Sequence, residues 1–293
     1  MISAVIPTFR GRSRLERNLG SVLASLSRSG EPFEVVVVDD GGGGIADLSS
    51  GARLLSLEEN RGYGPAVNAG ARDARGELLL VLNDDVRLED DTVTVLRSRL
   101  PAQAVFAVVP KIRSPLAACG DEGGKAVEWL AGAAEIREAP SAVEQPTLYP
   151  VGCCFLCRRD IFLAMGGFDE IYAPFFWEDV DLGYRAWRRG LATRHVPEAL
   201  CHHEGSATLR AERTLEERER HWFRNRVLFH LRDLADPALR AENMGCWMAH
   251  ALFDTRTVRT DGLAEALERF ARHGRRDDPG EDDARILARL APR

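Results

Sequence analysis

The chain has 293 residues, 45% hydrophobic and 29% charged, a balance that suits a globular protein with a sizeable core and no need of disulfides. Its formal net charge of −6 argues against a dominant nucleic-acid surface. No apolar run approaches the roughly 20 residues that span a bilayer, and Met1–Pro7 lacks the basic and long apolar parts of a signal peptide, so a cytoplasmic protein is expected, with peripheral contact at the inner face of the membrane compatible with it.

Ile2–Pro7 reads as a buried strand. Ser13 and Glu16 have the spacing of a capping box, ahead of a helix whose apolar face carries Leu15, Leu19, Val22, Leu23 and Leu26. Phe33–Val38 is a second strand, ending at Asp39-Asp40-Gly41-Gly42, and Leu54–Leu57 is a short third. Asn60-Arg61-Gly62-Tyr63-Gly64 is a loop, and Pro65 suits the first turn of a helix reaching about Ala74. Leu78–Leu82 is a strand ending at Asn83-Asp84-Asp85; a helix over Asp91–Leu100 and a strand over Ala104–Val109 follow. Strands this continuously apolar, alternating with helices, predict an α/β fold with a mostly parallel sheet covered on both faces. Ligands of such sheets bind beyond the carboxyl ends of the strands, so Asp39, Asp40, Asp84 and Asp85 are expected to border one cleft.

Ser114–Pro150 is rich in Gly, Ala and Pro and reads as an excursion over the sheet. Val151–Cys157 is apolar, and Arg158–Met165 is a short helix closed by Gly166-Gly167. Phe175-Phe176-Trp177 precedes Glu178-Asp179, which open a helix to about Arg189. Ala211–Leu234 is a long charged helix with Leu215, Trp222, Val227, Leu228 and Leu231 on an apolar face. The Arg- and Asp-rich tail after Gly274 is expected to be mobile. The division is a domain over 1–210, with halves of about 1–110 and 111–210, and a helical region over 211–293. Cys119, Cys153, Cys154, Cys157, Cys201 and Cys246 contain one C-x-x-C and no second pair, which favours buried free thiols over a zinc or redox site.

Four groups can carry chemistry. Asn83-Asp84-Asp85 suits a hard divalent cation that could bridge to a diphosphate, or is a turn of acids. Asp39-Asp40 can accept hydrogen bonds from a base or ribose, or forms a β-turn. Glu178-Asp179 beside aromatic residues suits a general base, or caps a helix. His202-His203 with Glu204 can complete a metal shell, or lies in a solvated loop.

Taken in order, the blocks Val5–Phe9, Val37–Gly41, Asn60–Gly70, Leu82–Val86, Gly166–Asp169, Trp177–Leu182 and His203–Thr208 resemble family 2 glycosyltransferases of GT-A fold, especially bacterial rhamnosyltransferase-like members that build cell-surface glycans. The resemblance covers about Ile2 to Leu231. It implies a donor site at Pro7, Thr8, Phe9, Asp39, Asp40, Arg61, Gly62, Asn83 and Asp84. It further implies a Mn2+ or Mg2+ ion at Asp85, Asp84 and His203, with His203 preferred over His202, and a base at Asp179 beside Glu178. Trp177 and Asn225 are expected at the acceptor, with Arg224 and Arg226 near it, or else Ala211–Leu234 is a plain structural helix. The implied reaction is inverting transfer from a nucleotide diphosphate sugar, UDP- or dTDP-linked, to a glycan or lipid-linked hydroxyl. Neither a nucleotidyltransferase nor a dinucleotide-binding oxidoreductase matches as well: the first strand is followed by no Gly-rich loop with a lysine, and no G-x-G-x-x-G opens the first helix. A non-catalytic nucleotide-sugar binding module would not need Asp179.

Overall fold

The computed structural model describes residues 1–45, 51–100, 104–115, 121–205, 212–253, 257–276 and 280–292. Its centre is a sheet built on β1 (Ile2–Thr8), β2 (Phe33–Asp39), β3 (Arg53–Ser56) and β4 (Leu78–Leu82), all parallel. The valines of β2 and Leu79, Leu80 and Leu82 of β4 are buried on both faces, which explains their unbroken apolar pattern. Register aligns Thr8 with Asp39 and Val5 with Val81, so β1, β2 and β4 end at one edge.

The later strands add the other half. β5 (Val86–Leu88), β6 (Val105–Arg113) and β7 (Asp121–Glu122) are followed by a separate hairpin of β8 (Lys125–Leu130) and β9 (Ala133–Glu138) within the Gly- and Pro-rich excursion. Then come β10 (Gln145–Pro146), β11 (Cys154–Arg158) and β12 (Ala192–His203). Among the described residues the sheet order is β10-β12-β6-β11-β4-β1-β2-β3, with β5 on β12 and β7 on β6. β11 runs antiparallel to β4, with Cys154 opposite Leu82. Its beginning therefore meets the edge where β4 ends, and Gly152 and Cys153 join the strand-end acids there.

The helices are α1 (Arg12–Arg28), α2 (Tyr63–Asp73), α3 (Thr92–Arg99), α4 (Arg159–Ala164), α5 (Glu178–Arg188), α6 (Leu215–Asp233), α7 (Pro237–Phe253), α8 (Thr257–His273) and α9 (Asp283–Arg289). The expected capping box at Ser13 and Glu16 is absent. α1 starts from Gly11 without a side-chain cap, and Glu16 instead pairs with Arg12 one turn back, at 2.8 Å. A capping box does open α6, between Thr214 and Glu217. On that helix Leu215 and Trp222 are exposed, and Phe223, Val227, Leu228 and Phe229 take the inner face.

The tail is anchored, contrary to expectation. Ile286 and Leu290 are buried in the core, and the Val127 N–H donates to the Leu290 carbonyl at 2.9 Å. Among the charges read as a sign of mobility, Arg276 is ion-paired with Asp169, Asp181 and Asp233. The described cysteines are free thiols, buried except for the half-buried Cys246; Cys119 lies outside the described residues.

Candidate active site

The strand ends open on a cleft of about 590 Å3. Pro7, Thr8, Phe9, Asp40, Gly62, Asn83, Asp84 and Asp85 line it on the first half of the chain, and Cys153, Phe175, Phe176, Glu178, Asp179 and His203 on the second.

Asp40 follows β2 directly. Its Oδ1 accepts from the Arg61 N–H and its Oδ2 from the Gly62 N–H, both at 2.8 Å. Burial raises its pKa against the pull of those two amides. The carboxylate thus fastens the Asn60–Gly64 loop to the cleft wall. Gly62 has φ of +96° and sits so close to Pro174 that a Cβ would meet its carbonyl oxygen at 2.6 Å, so glycine is required on both conformational and steric grounds. Asp39 differs from expectation. Its Oδ1 accepts from the Gly42 N–H at 3.0 Å, a turn contact, and it does not line the cleft. Arg61 serves through its backbone, while its guanidinium leaves the cleft for Glu170 at 2.9 Å.

Asp84 and Asp85, though adjacent, have different partners. Asp84 accepts from the Thr8 hydroxyl at 2.6 Å and from Arg14 through both oxygens, at 3.0 and 3.1 Å. Burial raises its pKa, with Arg14 and Thr8 pulling the other way. Arg14 was not legible as a site residue. It lies inside α1, where an arginine looks like solvated surface.

Asp85 instead stands 3.2 Å from His203, Oδ1 to Nε2. Burial disfavours the imidazolium, but Cys153 and Asp85 outweigh it and His203 is pushed up to about 11. His202 points elsewhere and bonds Glu89 at 2.8 Å. The expected meeting of Asp84, Asp85 and His203 is therefore reduced to two members. Among the described residues no three His, Cys, Asp or Glu side chains stand together as a closed cation site. The pair nonetheless fits a shared cation: two ligands at right angles, each about 2.1 Å from an ion, lie about 3 Å apart. Oxygen ligands from a diphosphate would have to supply much of the rest. Ser206, Ala207 and Thr208 of the same motif lie outside the described residues.

Across the cleft floor, α5 presents Glu178 and Asp179. Asp179 is not the helix cap, a place taken by Trp177 with φ of +72°. Its oxygens accept from the Gly152 N–H at 3.1 Å and the Val180 N–H at 2.9 Å. Burial raises the pKa of both carboxyls, and the charge on Asp179 adds to the rise at Glu178. The amide bonds and Lys125 oppose the rise at Asp179, so the rise is smaller at Asp179 than at Glu178. Among the described residues Glu178 Oε2 is buried without a hydrogen-bond partner.

Two acceptor assignments are corrected. Trp177 is turned into the core, against Trp222, Phe229 and His230. Asn225 is fully buried, and its Nδ2 donates to the carbonyls of Tyr172, Phe175 and Phe176 at 2.6, 3.0 and 2.7 Å. Phe176 and Trp177 both have positive φ, a costly state for bulky residues. Asn225 holds the backbone that must adopt it. Arg224 also bonds carbonyls here and Arg226 pairs with Glu135, so neither lines the cleft.

Residues 3–165 match the family model described as glycosyl transferase family 2. The chain belongs to this family. Residues 134–257 also match glycosyl transferase family group 2. This family 2 glycosyltransferase is 29% identical over 246 residues to the N-acetylglucosaminyl-diphospho-decaprenol L-rhamnosyltransferase of Mycobacterium tuberculosis, covering 71% of the chain and 78% of that relative, which places it in the rhamnosyltransferase-like group. Among solved structures it is similar to GalNAc-T7 with UDP, GalNAc and Mn2+, at a TM-score of 0.67 and 15% identity. That match covers 99% of the chain but 56% of the solved one. It is also similar to a Pyrobaculum calidifontis mannosyltransferase with GDP-Man and Mn2+, at a TM-score of 0.55 and 18% identity, covering 98% and 78%. These likenesses establish the GT-A fold of the glycosyltransferase.

Proposed function

We propose that the enzyme moves a sugar from a UDP- or dTDP-linked donor to a hydroxyl of a glycan or lipid-linked acceptor, inverting the anomeric centre, in assembly of cell-envelope polysaccharide. The observation that carries this reading is one cleft lined by two separate sets of carboxylates, Asp40, Asp84 and Asp85 at the strand ends and Glu178 and Asp179 at the start of α5.

The donor base and ribose lie against Pro7, Thr8, Phe9, Asp40 and Gly62, with Asn83 and Asp84 beneath. Asp85 and His203 would hold a divalent cation, Mn2+ or Mg2+, which would supply positive charge against the leaving diphosphate. Asp179, fixed by its two amide hydrogen bonds, takes the proton of the acceptor hydroxyl. The acceptor oxygen bonds the anomeric carbon on the face opposite the diphosphate, whose C–O bond breaks. No covalent enzyme intermediate is required. Phe175 and Phe176 border the acceptor side.

The decaprenol-linked acceptor in the name of the mycobacterial relative supports a lipid-linked acceptor here, met at the inner face of the membrane. Among the described residues no helix is long and apolar enough to cross a membrane. The outer face of α7, with exposed Met244, Met248, Leu252 and Phe253, is suited to peripheral contact.

The test is release of free nucleotide from UDP- and dTDP-sugars, with a polyprenyl diphosphate-sugar acceptor, with and without Mn2+ or Mg2+. Cation-dependent release that needs the acceptor is expected. Tight nucleotide binding without any turnover across the panel would indicate a binding module instead.

A further inference from the structure

The described residues after Gly274 lie along α5, the helix that begins with Glu178 and Asp179. Arg276 donates to Asp181 at 2.9 Å, and also to Asp169 at 2.6 Å and Asp233 at 2.9 Å. One turn further, the Tyr184 hydroxyl donates to Asp283, which is itself buried and also pairs with Arg188 at 3.0 Å. The Glu281 N–H donates to the Arg188 carbonyl at 2.8 Å, and Gly280 lies so near that a Cβ would meet the same oxygen at 2.4 Å. The Arg289 guanidinium stands 5.6 Å from the centre of the Trp187 ring. Asp181, Tyr184 and Arg188 share one helical face by their spacing, so the tail grips α5 from its first turn to its last.

We infer that the C-terminal segment is a positioning element of the active site, with Arg276 as its principal residue, which sets the place of Asp179 by fixing the first turn of α5. The two family matches end at residues 165 and 257, so this clamp lies beyond the part of the chain they cover. Arg276 suits the task. Asp169, Asp181 and Asp233 approach one another from the loop before α5, from α5 and from the end of α6, and a planar guanidinium can bond all of them at once. Arg185 and Arg232 share the load, through Asp181 and Asp169 respectively. With Arg276 gone, the buried Asp181 and Asp233 and the half-buried Asp169 are left with these two arginines. The tie that joins Asp181 to the tail and to the end of α6 is then lost, and the first turn of α5 is free to shift. The donor half, built on β1, β2 and β4, is not touched by the clamp.

This inference rests on Asp179 being the base, and the experiment separates the two. Arg276→Met and Arg276→Lys are made in the full chain. Turnover per folded molecule is measured with the donor and acceptor found in the nucleotide-release panel, and affinity is measured for UDP and dTDP with Mn2+. Arg276→Met is expected to lower kcat by about tenfold or more, since an ångström of misplacement at the reacting groups is worth about a hundredfold, while nucleotide affinity stays within about twofold. Arg276→Lys is expected to lie between Arg276→Met and the parent, because an ammonium replaces the charge but not the fork. If Arg276→Met fails to fold, Arg276→Lys decides alone, with reduced kcat and unchanged nucleotide affinity expected. Unchanged kcat per folded molecule, or nucleotide affinity falling in step with kcat, would overturn the inference. Normal turnover in Asp179→Asn would instead remove the base assignment on which it rests.

Discussion

Arg14 closes on Asp84 with two hydrogen bonds, Nε to Oδ1 at 3.0 Å and a terminal nitrogen to Oδ2 at 3.1 Å, while Asp85 beside it faces His203. Two neighbouring acids thereby acquire different work. Asp84 ties β1, α1 and the end of β4 together, and Asp85 is left beside the imidazole.

Removing Arg14 leaves a buried carboxylate without its ion partner. Breaking such a pair typically costs about 3–5 kcal/mol, so Arg14→Gln is expected to lower stability on that scale in urea unfolding. Asp84→Asn in the Arg14→Gln background should recover part of the loss, since the unpaired charge is gone. If the single variant is as stable as the parent, the pair is not structural.

Asn225 is expected to act through the backbone it holds. The two Nδ2 hydrogens, shared among the carbonyls of Tyr172, Phe175 and Phe176, at about 1 kcal/mol each, put the cost of Asn225→Leu at about 2 kcal/mol. Turnover should also fall as the turn before Glu178 relaxes, with nucleotide affinity retained. Thermal unfolding and UDP affinity check this. A stable Asn225→Leu variant with a raised acceptor KM alone would restore the acceptor role that its burial argues against.

Much of the fold was readable from sequence because doubly buried strands such as β2 and β4 must be apolar throughout. The acids immediately beyond them must then lie at one edge. Asp40, Asp84 and Asp85 border the cleft for that reason, as do Glu178 and Asp179 at a helix start. The misplaced residues share another cause. Whether Trp177 faces cleft or core depends on the left-handed turn at Phe176 and Trp177, which no periodicity reveals. Asn225 carried a faint signal, since asparagine is a poor choice within a helix unless its side chain is used. Arg14 and Arg276 resembled surface charge, because a count of charges does not say which of them are paired.

The cation prediction separates neighbouring histidines. Asp85→Ala and His203→Ala are expected to abolish Mn2+-dependent nucleotide affinity, while His202→Ala, whose partner is Glu89, leaves it within about twofold. Thermal shift reports this well, because ligand at a hundred times its dissociation constant stabilises by about 2.7 kcal/mol. A larger loss in His202→Ala than in His203→Ala would reverse the assignment.

The Glu178–Asp179 pair predicts a displaced pH profile. Burial raises both carboxyls, and the base must be ionised to act. Turnover should therefore fail on acidification at a higher pH than an ordinary aspartate would give, and should recover as pH rises. Glu178 is not among the groups that raise Asp179, so Glu178→Gln, which keeps a neutral side chain of the same size, is expected to leave that acid limb in place. An acid limb that moves downward in Glu178→Gln would show that the charge of Glu178 acts on the base.

The most direct test of the account is Asp179→Asn, assayed for turnover and for UDP or dTDP affinity in the same preparation. Asparagine keeps the size and, through its one oxygen, one of the two hydrogen bonds from the Gly152 and Val180 amides, but it cannot take a proton. Loss of general-base help is worth ~10²–10⁴-fold in rate, so turnover should fall by that factor with nucleotide affinity retained and with stability lowered by about 1 kcal/mol for the lost hydrogen bond. Near-normal turnover in Asp179→Asn would contradict the proposed chemistry.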